Sequence, residues 1–132
     1  MKKSVALLTF AILAAAVFAY AAGESKPELR PTQVVMQARA AWMKAMNENL
    51  GTKMFEAIVK DADGLAAQTK KIGDGHPNPL AKELTLAVSS LAKEVSAAAA
   101  KKDGDAVKAK LGAIKDKCGE CHAKIRDKDK KK

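Results

Sequence analysis

The sequence predicts an all-α fold, an up-down-up-down four-helix bundle, on three observations. Apolar residues recur every three or four positions in four separate segments, and no stretch alternates as a half-buried strand would. Glycine or proline punctuates the chain where those segments end. The connections are short, which favours antiparallel neighbours.

The first residues read as an export signal rather than as part of the bundle. Lys2 and Lys3 precede an uncharged apolar stretch from Val5 to Ala22 that ends in Ala19-Tyr20-Ala21, the small-x-small form that signal peptidase cleaves. Residues 1–21 are therefore expected to be a cleaved secretory signal and 22–132 the folded domain, with the periplasm as destination and no membrane association after cleavage. An uncleaved anchor is the alternative, but the stretch is rich in alanine and carries a cleavage site such an anchor would not need.

The first helix is predicted from about Pro31 to Leu50, with proline in its first turn and Gly51 beyond its end; Met36, Ala40, Met43 and Leu50 form its apolar stripe. The second, from about Thr52 to Lys71, carries Phe55, Ile58, Ala62, Leu65 and Thr69, with Ile72 continuing the stripe just beyond. Gly64 within it costs about 1 kcal/mol relative to alanine. Gly73 to Pro79, dense in breakers, reads as the one true loop. Asn78 then caps a third helix with Pro79 in its first position, and Leu80, Leu84, Ala87, Leu91, Val95 and Ala98 mark its buried face. Lys101 to Gly104 turns the chain. The last helix, from about Asp105 to Lys128, places Val107, Leu111, Ile114, Cys118, Cys121, His122 and Ile125 on one side.

That last helix carries Cys118-Gly119-Glu120-Cys121-His122, a C-x-x-C-H run with the attachment pattern of a c-type haem. Two thiols three residues apart on a helix can each form a thioether to a vinyl group of one porphyrin, and the adjacent imidazole can then reach the iron as proximal ligand. A redox C-x-x-C would open a helix after a strand, where the dipole lowers a thiol pKa, whereas this pair lies late in a helical pattern. A structural zinc needs four ligands, and His76 is the only other histidine in a chain of two cysteines. One covalent haem c, held through Cys118 and Cys121, is the expected cofactor. Export agrees with it, since bacteria attach this haem outside the cytoplasmic membrane. Beyond residue 21 the only aromatics are Trp42 and Phe55, so the porphyrin is expected to form part of the core.

Antiparallel packing predicts what surrounds the haem. His122 lies about six residues before the end of the last helix, roughly 9 Å, and the same level on the first helix falls nearest Met36. Met36 is therefore the candidate sixth ligand, with Met43 and Met46 about 10 to 15 Å deeper. A thioether opposite histidine favours low-spin iron and raises the reduction potential. Methionine on an apolar stripe is also ordinary core filling, in which case Met36 walls off an open iron. Thr69, Ile72, Leu80 and Leu84 are expected around the porphyrin, and His76 reads as a histidine of an exposed turn.

A C-terminal C-x-x-C-H on the last of four helices resembles the class II cytochromes c, the cytochrome c prime family. His122 followed four residues on by Arg126 matches that family's C-x-x-C-H-x-x-x-R ending, with Ile125 where an aromatic is frequent. Val35-Met36 followed by Met46 is similar to the low-spin branch, whose methionine ligand occupies the position matched to Met36. The family often has an arginine four residues before the distal residue; here Thr32 stands there, with Arg30 and Arg39 out of phase. The resemblance implies a monohaem one-electron carrier rather than an enzyme, or in the high-spin branch a protein that binds small gases such as nitric oxide. It also implies homodimerisation through the first two helices, for which Val34 and Trp42 are the suggestive residues.

Charge suggests the partner. Residues 101–132 hold 12 basic and 6 acidic side chains, against 10 and 9 in residues 22–100. A positive field on the haem-bearing side would steer an acidic redox protein into a fast, salt-sensitive encounter. A frayed, solvated lysine tail would give the same count. Nucleic acid is disfavoured by two aromatics, three arginines and an export signal.

Overall fold

The computed structural model describes residues 31–126, and every segment among them longer than a turn is helical. The compact unit of the bundle begins at Val35, within the first helix. The four helices are α1 (Pro31–Gly51), α2 (Phe55–Asp74), α3 (Pro79–Ala100) and α4 (Gly104–Cys121), the last continuing into a π-helical turn, His122–Arg126. The expected signal segment and the C-terminal lysines lie outside the described residues.

Contacts fix the topology. Trp42 meets Gly64 and Arg39 meets Gln68, so α1 and α2 run antiparallel. Ser89 bonds the Ala66 carbonyl and Leu86 meets Gly73, which sets α3 against α2 in the same sense. Lys110 pairs with Glu94 between α4 and α3. Leu50 at the end of α1 touches Gly104 at the start of α4. The closest backbone approaches are α2 to α3 and α3 to α4, whereas α1 stands off and reaches the others through longer side chains.

Each connection has a local cause. α1 ends with Gly51 as its last helical residue, not beyond it, and the reversal is made by Lys53 at φ 58°. Met54 N–H bonds the Asn49 carbonyl at 2.8 Å, closing the turn. Lys102 plays the same part after α3, at φ 56°. Asn78 caps α3, its Oδ1 accepting from Leu80 N–H at 3.0 Å and Ala81 N–H at 3.1 Å, with Pro79 next. Asp103 caps α4 by accepting from Ala106 N–H at 3.1 Å.

The core is aliphatic and closed along most of its length. Met46, Ile58, Ala62, Ala92, Val95, Val107 and Ile114 are fully buried, joined by Leu65 and Leu111, while Trp42, Met43, Leu50 and Phe55 pack against them from the edges. Full burial of each large aliphatic side chain contributes about 1.5–3 kcal/mol.

Two details depart from the sequence reading. α2 runs through Gly73 to Asp74, so Gly73 is a buried helical residue and not part of the loop. On α3 the buried set is Ala81, Leu84, Thr85, Val88, Ser89, Ala92, Val95 and Ala99; of the expected face Leu84 and Val95 are buried, whereas Leu80, Ala87, Leu91 and Ala98 are half-buried at its edge. This helix packs closely on two neighbours, and its small residues face them. Trp42 is half-buried and lays its indole on Gly64 of α2.

Candidate functional site

At the end of the bundle marked by the start of α3, the helices enclose a cleft of about 160 Å³. α1 contributes Met36, Arg39 and Ala40; α3 contributes Leu84, Thr85 and Val88; α4 contributes Lys117, Cys118 and Cys121, with His122 beside them. Five residues expected at a haem, Met36, Leu84, Cys118, Cys121 and His122, thus come from three helices to one cavity.

The cysteines and histidine converge because of helical spacing. Residues 118, 121 and 122 fall on one face, the continuation of Val107, Leu111 and Ile114. The backbone changes register at this point. His122 N–H bonds both the Cys118 and Gly119 carbonyls, and the chain then widens into the π-helical turn. Such turns are rare and often occur at functional sites.

The cleft is lined mainly by apolar side chains and carries two cations, Arg39 and Lys117. Both thiols are free and half-buried. Burial pushes the Cys118 thiol above its usual pKa, with Arg39 opposing and Cys121 reinforcing the rise. Cys121 is pushed up by burial as well, against Arg39 and with Glu120. Burial lowers Arg39 from its usual value, the two cysteines opposing; an arginine nonetheless stays charged. Its Nε donates to Gln68 Oε1 on α2 at 3.1 Å. On the outer side Glu120, held below the usual carboxylate range by hydrogen bonds from Lys124 and Lys117, bridges the two ammonium groups at 2.6 and 3.0 Å.

Other expected residues lie elsewhere. Thr69 is fully buried but does not line the cleft, since its hydroxyl donates back to the Leu65 carbonyl at 2.7 Å and the Ala66 carbonyl at 3.2 Å within α2. Ile72 and Leu80 are half-buried and are not among the lining residues. His76 sits in the loop before α3, its Nδ1 accepting from Asn78 N–H at 3.1 Å. Arg126 closes the π-helical turn. The residues that sequence reasoning missed are Arg39, Thr85, Val88 and Lys117. Arg39 had a signal, being three residues after Met36 and hence on the same face. Val88 had one too, four residues after Leu84.

No protein-family model, curated protein or solved structure matches the chain.

Proposed function

We propose that the protein is an exported monohaem c-type cytochrome of the class II kind that carries single electrons. Cys118 and Cys121 are its thioether anchors, His122 the proximal ligand and Met36 the distal ligand. The observation that carries this reading is the convergence of the C-x-x-C-H residues with Met36, from the opposite helix, on one apolar cleft.

The residues fit a haem c by their chemistry. Each thiol can add across a vinyl double bond, sulfur to one carbon and hydrogen to the other, with no net oxidation. Burial raises the pKa of both thiols, the opposite of what a thiolate-driven redox pair needs. A zinc site lacks ligands, since no group of three or more His, Cys, Asp or Glu able to hold a metal occurs among the described residues. When bound, the haem supplies a one-electron iron couple. Met36 offers it a soft, neutral sulfur, Leu84 and Val88 exclude water, and His122 offers a nitrogen on a backbone held by the Cys118 and Gly119 carbonyls. The cleft is smaller than the roughly 300–1,000 Å³ of most cofactor pockets. Filling it requires side chains or a helix to give, and α1 is the helix with the fewest close backbone approaches.

The partner on this reading is an acidic redox protein drawn by the lysine-rich C-terminal quarter. The Glu120 bridge already neutralises part of the charge of Lys117 and Lys124, so the field comes mainly from the other lysines.

Optical and EPR spectra of the exported protein in both oxidation states test the function. Low-spin iron with a methionine-to-iron charge-transfer band and little carbon monoxide uptake by the ferrous form is the expected result. High-spin iron that takes up the gas readily would replace the carrier with a gas-binding protein. A protein with no haem spectrum would remove both.

A further inference from the structure

Three hydroxyls are buried among the described residues, and two of them are spent inside the protein. Thr69 donates to the Leu65 carbonyl at 2.7 Å within its own helix, and Ser89 donates across to the Ala66 carbonyl at 2.8 Å. Thr85, only 6 % exposed, makes no side-chain hydrogen bond among the described residues. No fully enclosed side-chain oxygen or nitrogen there lacks a partner, so this hydroxyl opens onto the cleft that Thr85 lines. The imidazole of His122, on the same lining, likewise makes no hydrogen bond among the described residues. Two polar groups that are costly to leave unpaired thus face one cavity.

Register brings them to one level. The Lys110–Glu94 pair aligns α4 with α3, and as far before Glu94 as Thr85 lies, so far beyond Lys110 lies Gly119 on the antiparallel helix. His122 is one helical turn further, about 4.5 Å along the axis. Helical side chains lean toward the N-terminus of their own helix. Because α3 and α4 run in opposite senses, His122 leans back toward Gly119 while Thr85 leans toward the end of α4, so the two lean toward each other. The backbones of α3 and α4 also approach closely, whereas α1 with Met36 stands off.

On the haem reading His122 gives Nε2 to the iron, and its Nδ1–H then requires an acceptor, as that of a ligating histidine almost always finds one. Glu120, the nearest carboxylate in sequence, is engaged on the outer side by Lys117 and Lys124. We infer that the Thr85 hydroxyl accepts the Nδ1 hydrogen of His122 and so holds the proximal imidazole, an assignment that rests on the haem reading. The two do not bond each other in the structure; the ring turns to make the bond when its other nitrogen is committed. The hydroxyl's own hydrogen can then return to the Ala81 carbonyl one turn back, as that of Thr69 returns to Leu65. Thr85 is a positioning residue: an acceptor on Nδ1 makes the imidazole a stronger electron donor and favours ferric iron.

The test uses the haem-loaded protein and the variants T85V, T85A, T85S and E120Q, read by NMR of the His122 Nδ1 proton in the ferrous form and by midpoint potential. T85V keeps the side-chain shape without the hydroxyl: the Nδ1 proton resonance moves, its exchange with solvent quickens about two- to tenfold and the potential rises. T85A gives the same changes and carries the test if T85V does not fold. T85S keeps the hydroxyl and stays close to the parent in all three. A T85V or T85A protein with a haem spectrum like the parent's and an unmoved Nδ1 resonance and exchange rate overturns the assignment, and so does a resonance that answers to E120Q instead. A parent protein without a haem spectrum overturns the function reading itself, a separate and visible failure.

Discussion

Gly73 on α2 and Leu86 on α3 approach so closely that a Cβ built on Gly73 would lie 2.8 Å from both Cγ and Cδ2 of Leu86 and 3.4 Å from its backbone nitrogen. The glycine is there for contact and not for a turn. Gly73→Ala is expected to destabilise the bundle by about 1–2 kcal/mol, the cost of overpacking less a small gain in helix propensity. Gly112→Ala on α4, where nothing lies within 4 Å, is expected to stabilise by about 0.5–1 kcal/mol. Urea unfolding of the two variants checks the opposite signs.

The start of α3 depends on one side chain. Asn78 Oδ1 accepts from two backbone N–H groups that have no partner within the helix. Asn78→Ala is expected to cost about 1 kcal/mol and Asn78→Asp to cost little, because aspartate caps equally well. Hydrogen exchange of the Leu80 and Ala81 amides should quicken in the alanine variant alone.

Those two sites also show what a linear reading could and could not recover. Asn78-Pro79 is a local signal, since cap and first-turn proline follow from backbone geometry within four residues, and the structure reproduces it. Gly73 was misread because a glycine near other breakers looks like a turn, while its true constraint is Leu86, thirteen positions on. On α3 the expected stripe caught Leu84 and Val95 but missed Ala81, Val88, Ala92 and Ala99, because the helix is buried on two sides and hydrophobicity alone does not pick out a single stripe. In the site, the cysteines and histidine are adjacent in sequence and Met36 follows from antiparallel register. Arg39 was read only as out of phase with the position four residues before Met36, and its bond to Gln68 from another helix shows where it turns.

Burial of the thiols has a chemical consequence. With the Cys118 pKa raised, alkylation of the haem-free Cys121→Ser protein by iodoacetamide is expected to follow a pH profile displaced upward from that of a free cysteine. Arg39 pulls the other way, so adding Arg39→Gln should displace the profile further upward. A profile shifted below that of free cysteine would mark an activated thiol and favour redox chemistry at the pair.

Met36 and Met46 lie ten residues apart on α1 and make opposite predictions. Met46 is fully buried among Ile58, Val95 and Ile114 and does not line the cleft, whereas Met36 is half-buried and does. Met46→Ala is expected to cost about 2–5 kcal/mol of stability while leaving the iron's ligands unchanged. Met36→Ala removes less buried surface and should cost less stability. On the proposed haem reading its effect is expected at the iron: loss of the charge-transfer band, a higher spin state, a lower potential and carbon monoxide uptake by the ferrous form. Spectra and unfolding curves of the same two proteins separate ligand from core filling. If Met36→Ala alters only stability, sulfur is not the sixth ligand, and Met36 joins Leu84 and Val88 as wall.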